Sequence, residues 1–270
     1  MRQKLISAIS CGLGLILALS SSVVRAEAIT LTGTVRDFNS CNTTFNGVAG
    51  HPDFECKSGD DRGIVAATLG ADGKPVFAGG NHPTVTSAAS FYQWYHDDPT
   101  VNMSGSVSIT LNKINATQYQ FSSNAFFPID GLLLGQTACC GHNYGFTTEF
   151  HTSFTYVAGN DDNFEFSGDD DVFVYINGQL AIDLGGVHGA EAASVNLNSF
   201  AAAHGLLSGQ DYTLDVFQAE RHTTGSNFTM TTSLQLVPVS DVPEPSSWAL
   251  AGIALVGVAA TRRREGRSRV

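Results

Sequence analysis

Short alternations of apolar and polar residues, rich in Thr, Val, Phe and Tyr and broken by glycine and scattered proline, recur from about Val35 to Val237. A period of two places successive side chains on opposite faces of an extended chain, so each run predicts a strand with one face in a core. The clearest unit starts at Asn163-Phe164-Glu165-Phe166, passes an acidic loop at Asp169, Asp170 and Asp171, and resumes as Val172-Phe173-Val174-Tyr175-Ile176. Asn177-Gly178 then supplies the positive φ angles of a tight hairpin, and Gln179 to Leu184 returns as the partner strand. Further strands are predicted at Tyr212 to Ala219 and Phe228 to Val237, with a hairpin of Ser106–Leu111 and Gln118–Phe121 around Asn115. Helical spacing appears in only two interior segments, Ser87–His96, where Phe91, Trp94 and Tyr95 recur, and Val195–His204. The pattern predicts one all-β domain, residues 27–238, folded as a β-sandwich.

The two ends break the pattern. Arg2 and Lys4 precede an apolar stretch from Leu5 to Leu19 and a small-residue site at Val24-Arg25-Ala26, which reads as a signal peptide over residues 1–26. A retained N-terminal anchor is the alternative. Residues 239–270 hold Pro243, Glu244 and Pro245, then an apolar helix from Trp248 to Ala260, then Arg262, Arg263 and Arg264. The apolar run is short for a permanent span, and the arginines behind it would stay cytoplasmic. In that order the three features resemble the PEP-CTERM sorting signal of Gram-negative bacteria. The resemblance implies recognition by an exosortase, transient inner-membrane anchoring, tail removal and release to the cell surface or extracellular polysaccharide matrix; a plain membrane anchor is the competing reading.

Charge narrows the partners. The chain is formally −11, and between Glu27 and Ser240 it holds 6 basic against 22 acidic residues, near −16. Such a surface repels nucleic acid and anionic lipid and attracts cations. In an exported chain, Cys41, Cys56, Cys139 and Cys140 favour disulfides, with three pairings open and Cys41–Cys56 preferred because its loop is short and polar. Zinc held by Cys139, Cys140 and His142 is the other reading, although paired C-x-x-C spacing is missing.

The crowded carboxylates carry the candidate chemistry. Asp169, Asp170 and Asp171 repel one another between hydrophobic strands unless a cation neutralises them, and carboxylate oxygens suit calcium. A solvated acidic loop fits the same spacing. The block Gly168-Asp169-Asp170-Asp171-Val172-Phe173-Val174-Tyr175-Ile176-Asn177-Gly178 resembles the core of the protective-antigen-type β-sandwich. With His51-Pro52-Asp53-Phe54-Glu55, Phe91-Tyr92-Gln93-Trp94-Tyr95, Phe126-Phe127-Pro128-Ile129-Asp130 and Ala219-Glu220-Arg221-His222, the chain more narrowly resembles the fibro-slime domain. That resemblance implies a calcium ion held by an Asp-Asp pair joined through a cis peptide, with a second-loop asparagine, here matched to Asn227, and sugar hydroxyls bound to the ion. Asp169, Asp170, Asp171 and Asn227 are then the metal candidates, and Asp169, Asp170, His188 and Asn227 the glycan candidates.

The remaining polar residues suggest less. His142, His151, His188 and His222 lack the spacing that presets a metal site, and Arg221 fits a structural partner for buried carboxylates. No Gly-x-Ser-x-Gly elbow, His-Glu-x-x-His helix or phosphate loop is present. The expectation is an exported surface or matrix protein that binds glycan with calcium; a structural matrix component using calcium for stability, and a glycan-active enzyme, are the alternatives.

Overall fold

The computed structural model describes residues 28–135 and 141–237. The expected signal peptide, Cys139 and Cys140, and the sorting tail with Pro243, Glu244, Pro245, Arg262, Arg263 and Arg264 lie outside the described residues.

The first strand, β1 (Ala28–Phe38), is followed by an excursion over residues 39–101 that holds β2 (Thr44–Phe45), β3 (Val48–Ala49), β4 (Gly59–Asp60) and helix α1 (Ala88–Trp94). The chain returns as β5 (Asn102–Lys113), β6 (Tyr119–Ser123), β7 (Phe146–Thr155), β8 (Asn163–Gly168), β9 (Asp171–Ile176), β10 (Gln179–Leu184), β11 (Gly186–Val187) and β12 (Glu191–Asn196). Helix α2 (Leu197–His204), β13 (Asp211–Glu220), β14 (Phe228–Thr232) and β15 (Gln235–Val237) complete it. The long strands follow one antiparallel path, β10-β9-β13-β7-β1-β5-β6-β14-β8-β12, with β15 also on β7. The two ends of the path, β10 and β12, meet. The sheet thereby folds over itself into the expected sandwich.

Its interior holds Phe146, Phe150 and Phe154 of β7, Phe164 and Phe166 of β8, Val172, Val174 and Ile176 of β9, and Phe228 and Met230 of β14. Two rows of aromatic rings facing each other at strand spacing exclude water and fix the register, because a one-residue slip would turn each row outward. Strand β9 is buried at every position. Phe173 and Tyr175 point away from the interior, and with Phe217 and Ala219 of β13 they join a second core made with Phe38, Phe54, Phe91, Trp94 and Tyr95. The excursion supplies most of that second core and covers the outer face of the sheet.

Local chemistry explains the boundaries. Helix α1 begins at Ala88 because Ser87 and Ser90 cap each other's backbone N–H. Helix α2 is capped by Asn196 and ends on Gly205 in the left-handed region, so Val195 and Asn196, predicted helical, belong to β12. The predicted strand Phe228–Val237 is broken at Ser233 and Leu234, where Ser233 exchanges hydrogen bonds with Asn163 and the chain passes from β8 to β7. Asn177 and Gly178, at φ 51° and 71°, make the predicted hairpin turn. Cys41 and Cys56 form the preferred disulfide, with Cα atoms 5.9 Å apart.

The second core yields a test. Phe217→Ala opens a cavity between sheet and excursion and is expected to cost about 3–5 kcal/mol in urea unfolding. A loss below about 0.5 kcal/mol, typical of a surface position, would show that the excursion does not pack there.

Candidate cation and ligand site

Strands β8 and β9 face each other across the interior core, and only Asp169 and Asp170 join them. The Asp169 N–H donates to the Asn227 carbonyl (3.3 Å) and the Asp170 N–H to the Ala219 carbonyl (3.2 Å), so the crossing is tied to both layers. The peptide bond between the two aspartates is cis. Gly168, just before them, has no room for a side chain: a Cβ would stand 2.6 Å from the Asn227 carbonyl oxygen.

The three aspartates separate sharply by partner. Asp169 accepts from the Asn227 backbone N–H (2.5 Å) and from Asn227 Nδ2 (2.7 Å). Asp170 accepts from the backbone N–H groups of His188 (3.1 Å) and Arg221 (2.9 Å). Asp171 is fully buried and spends one oxygen on the Gly186 N–H (2.6 Å) and the other on Arg221 Nε (2.6 Å). Gly186 reaches it because its φ of 120° is open to glycine and a Cβ there would meet Asp61 N at 2.5 Å.

A cavity of about 410 Å³ opens over the crossing, lined by Asp169, Asp170, His188, His222, Thr223 and Asn227, with Ser58 of the excursion at its edge. Asp169, Asp170, His188 and Asn227 thus converge, whereas Asp171 stands apart in its pair with Arg221. His142 pairs with Asp130 (2.6 Å) and His151 with Asp215 (2.8 Å), both away from this cavity. Among the described residues no three His, Cys, Asp or Glu side chains gather as a metal cluster, and of the zinc reading's ligands Cys139 and Cys140 lie outside them. Ser58 and Thr223 carry no local signal in the sequence. Thr223 reaches the rim because the Glu55 carboxylate holds it by its N–H (3.1 Å) and hydroxyl (2.7 Å).

Electrostatically the site is over-supplied with acid. Burial, reinforced by Asp171 and Asp169 and opposed by Arg221, pushes Asp170 up to about 7. Burial also raises Asp171 against the pull of Arg221. Glu220 is held well above the carboxylate range by burial and then by Asp170 and Asp169. Arg221, the buried side-chain cation beside the aspartates, is committed to Asp171. Ion pairs among the described residues include neither Asp169 nor Asp170.

These shifts predict a pH dependence. A carboxyl raised from its ordinary 3.8 to about 7 binds its proton more tightly folded than unfolded. Its stabilising contribution is complete below about pH 3.8 and is lost as pH rises to about 7, at no more than about 1.4 kcal/mol per pH unit. Melting in chelator should therefore show this domain losing stability across that window, and Asp170→Asn should flatten the slope. An equal slope in the variant would deny Asp170 its raised affinity for the proton.

A PA14 domain model matches residues 141–246, and a PEP-CTERM protein-sorting motif matches residues 241–264. The protein psiD of Dictyostelium discoideum is 36% identical over 227 residues, covering 78% of this chain and 42% of psiD. The protein psiQ of the same organism is 37% identical over 200 residues, 68% of this chain and 20% of psiQ. The chain thus spans less than half the length of these relatives. Their matches are too long to fit within residues 141–270, so they reach back beyond the PA14 match. Among solved structures, the PA14 domain of the MpAFP antifreeze protein is 12% identical over 82% of this chain and 88% of that one, with a TM-score of 0.30. The PA14 match and the psi relatives bear out the family resemblance read from the sequence, and the match at residues 241–264 bears out the resemblance of the tail to a PEP-CTERM sorting motif.

Proposed function

We propose that this chain, which carries a PA14 domain and a PEP-CTERM sorting motif, binds glycan at the cell exterior through a calcium ion at Asp169 and Asp170. The observation that carries the reading is a cavity walled by two carboxylates, each 5% exposed and without an ion-pair partner among the described residues, beside Asn227. Two buried like charges favour a cation strongly, and hard carboxylate and amide oxygens suit calcium over softer metals. The donor set therefore fits the ion that the family implies. Asp169, Asp170 and Asn227 hold it, while Asp171 neutralises Arg221 and is not a ligand. Calcium accepts six to eight oxygens, so three side chains leave positions for sugar hydroxyls. His188 and Thr223 at the wall supply hydrogen-bonding groups that select among sugars. The PA14 match supports the glycan, and the sorting motif supports a location where matrix polysaccharide is the abundant ligand. Before release, the apolar tail holds the chain briefly at the inner membrane.

Calorimetry and melting test the ion. Calcium at 100 times its dissociation constant should stabilise wild type by about 2.7 kcal/mol. Asp170→Ala should lose most of that shift. Asp97→Ala should keep it, since Asp97 pairs with Arg36 far from the cavity (2.8 Å). Glycan arrays with and without chelator test the ligand. Calcium binding with no glycan retained would leave a structural matrix role, and no calcium binding at millimolar ion would sink the site assignment.

A further inference from the structure

Arg221 is buried completely, yet its side chain touches more of the molecule than its ion pair requires. Nε meets Asp171, while Nη1 donates to the backbone carbonyls of Asp53 (3.1 Å) and Thr84 (2.8 Å), both in the excursion. The guanidinium carbon lies 4.3 Å over the ring of Trp94, a residue of α1. The indole N–H of Trp94 in turn donates to the Asp53 carboxylate (3.1 Å), which also accepts the Thr86 N–H (2.8 Å). On the main chain, the Arg221 N–H holds Asp170 (2.9 Å) and its carbonyl accepts from the Glu55 N–H (2.6 Å). One residue therefore joins the aspartate crossing to four residues of the excursion, Asp53, Glu55, Thr84 and Trp94.

We propose that Arg221 is a positioning residue that couples cation occupancy at Asp169 and Asp170 to the docking of residues 51–96 against the sheet. The inference rests on the calcium reading above and assigns that site its support and its long-range partner. Its physical basis is geometric. The carboxylate of Asp170 is aimed by the Arg221 N–H, whose place is set by where the guanidinium sits. The guanidinium sits where Asp171, two excursion carbonyls and the Trp94 ring allow. If the excursion lifts, the fork loses both carbonyls and the aromatic face together, and the N–H that aims Asp170 is freed. By linkage the effect is reciprocal: an ion that fixes Asp170 favours the docked excursion by the same factor that docking favours the ion.

Hydrogen exchange with mass spectrometry, run with and without calcium, tests this alongside calorimetric titration of calcium. In wild type, calcium should slow exchange in peptides from residues 51–96 at least tenfold, although no ligand lies there. Arg221→Lys keeps the charge and loses the fork; it should weaken calcium binding at least tenfold and abolish the protection of residues 51–96. Should Arg221→Lys fail to fold, Trp94→Phe serves instead: it keeps a ring beneath the guanidinium but loses the indole N–H, and should reduce both effects. Wild type that binds calcium without protecting residues 51–96 would overturn the coupling and leave the calcium site standing. So would either variant binding calcium with wild-type affinity. Wild type that binds no calcium would overturn both.

Discussion

A guanidinium ion taken out of water gives up several kcal/mol of hydration, and a carboxylate taken with it gives up as much again; only close contact and full hydrogen bonding recover the loss. The Arg221–Asp171 pair recovers much of it with components from three other parts of the chain, Nη2 being the one guanidinium nitrogen without a hydrogen bond among the described residues. Asp171 comes from the start of β9, Gly186 from β11, and the carbonyls of Asp53 and Thr84 from the excursion, with the Trp94 ring beneath. Removing any one of these leaves a buried charge short of a partner. That constraint ties the second core to the sheet beside its apolar rings.

The same pair determines what the neighbouring carboxylates can do. Because Asp171 is spent on Arg221, no ion pair among the described residues engages Asp169 or Asp170, and burial holds Glu220 above the carboxylate range. An acidic cluster that balanced itself would be a structural knot. This one is unbalanced on the side that opens to a cavity. The excess is confined to two residues whose backbones are tied to β13 and to Asn227, so the carboxylates are presented on a rigid crossing rather than a mobile loop. Rigid placement lowers the ordering cost of binding an ion, which is what the proposed calcium site requires.

Much of this was legible without coordinates. Alternation marked β9 and β13, Asn177-Gly178 marked the hairpin between β9 and β10, and the helical spacing of Phe91, Trp94 and Tyr95 marked α1. The family resemblance pointed to Asp169, Asp170 and Asn227, and the structure brings these three to one cavity. What alternation could not show is that β9 is buried on both faces. A run such as Val172 to Ile176 reads as a strand whether its second face meets water or another layer. The covering layer here is a long excursion of mostly irregular chain with little periodicity of its own.

By itself the sequence determined the all-β class, the turns, the acidic export-type composition and the presence of a crowded aspartate triplet. These depend on neighbours a few positions apart, where side-chain period and turn preference act directly. Only the tertiary structure decided which aspartate is neutralised and which two are not. Arg221 is 50 residues from Asp171 and 137 from Thr84, and three adjacent acids look alike until the cation that chooses among them has been brought close. Burial drives that choice, because at low dielectric one fixed guanidinium outweighs the small intrinsic differences between neighbouring carboxyls.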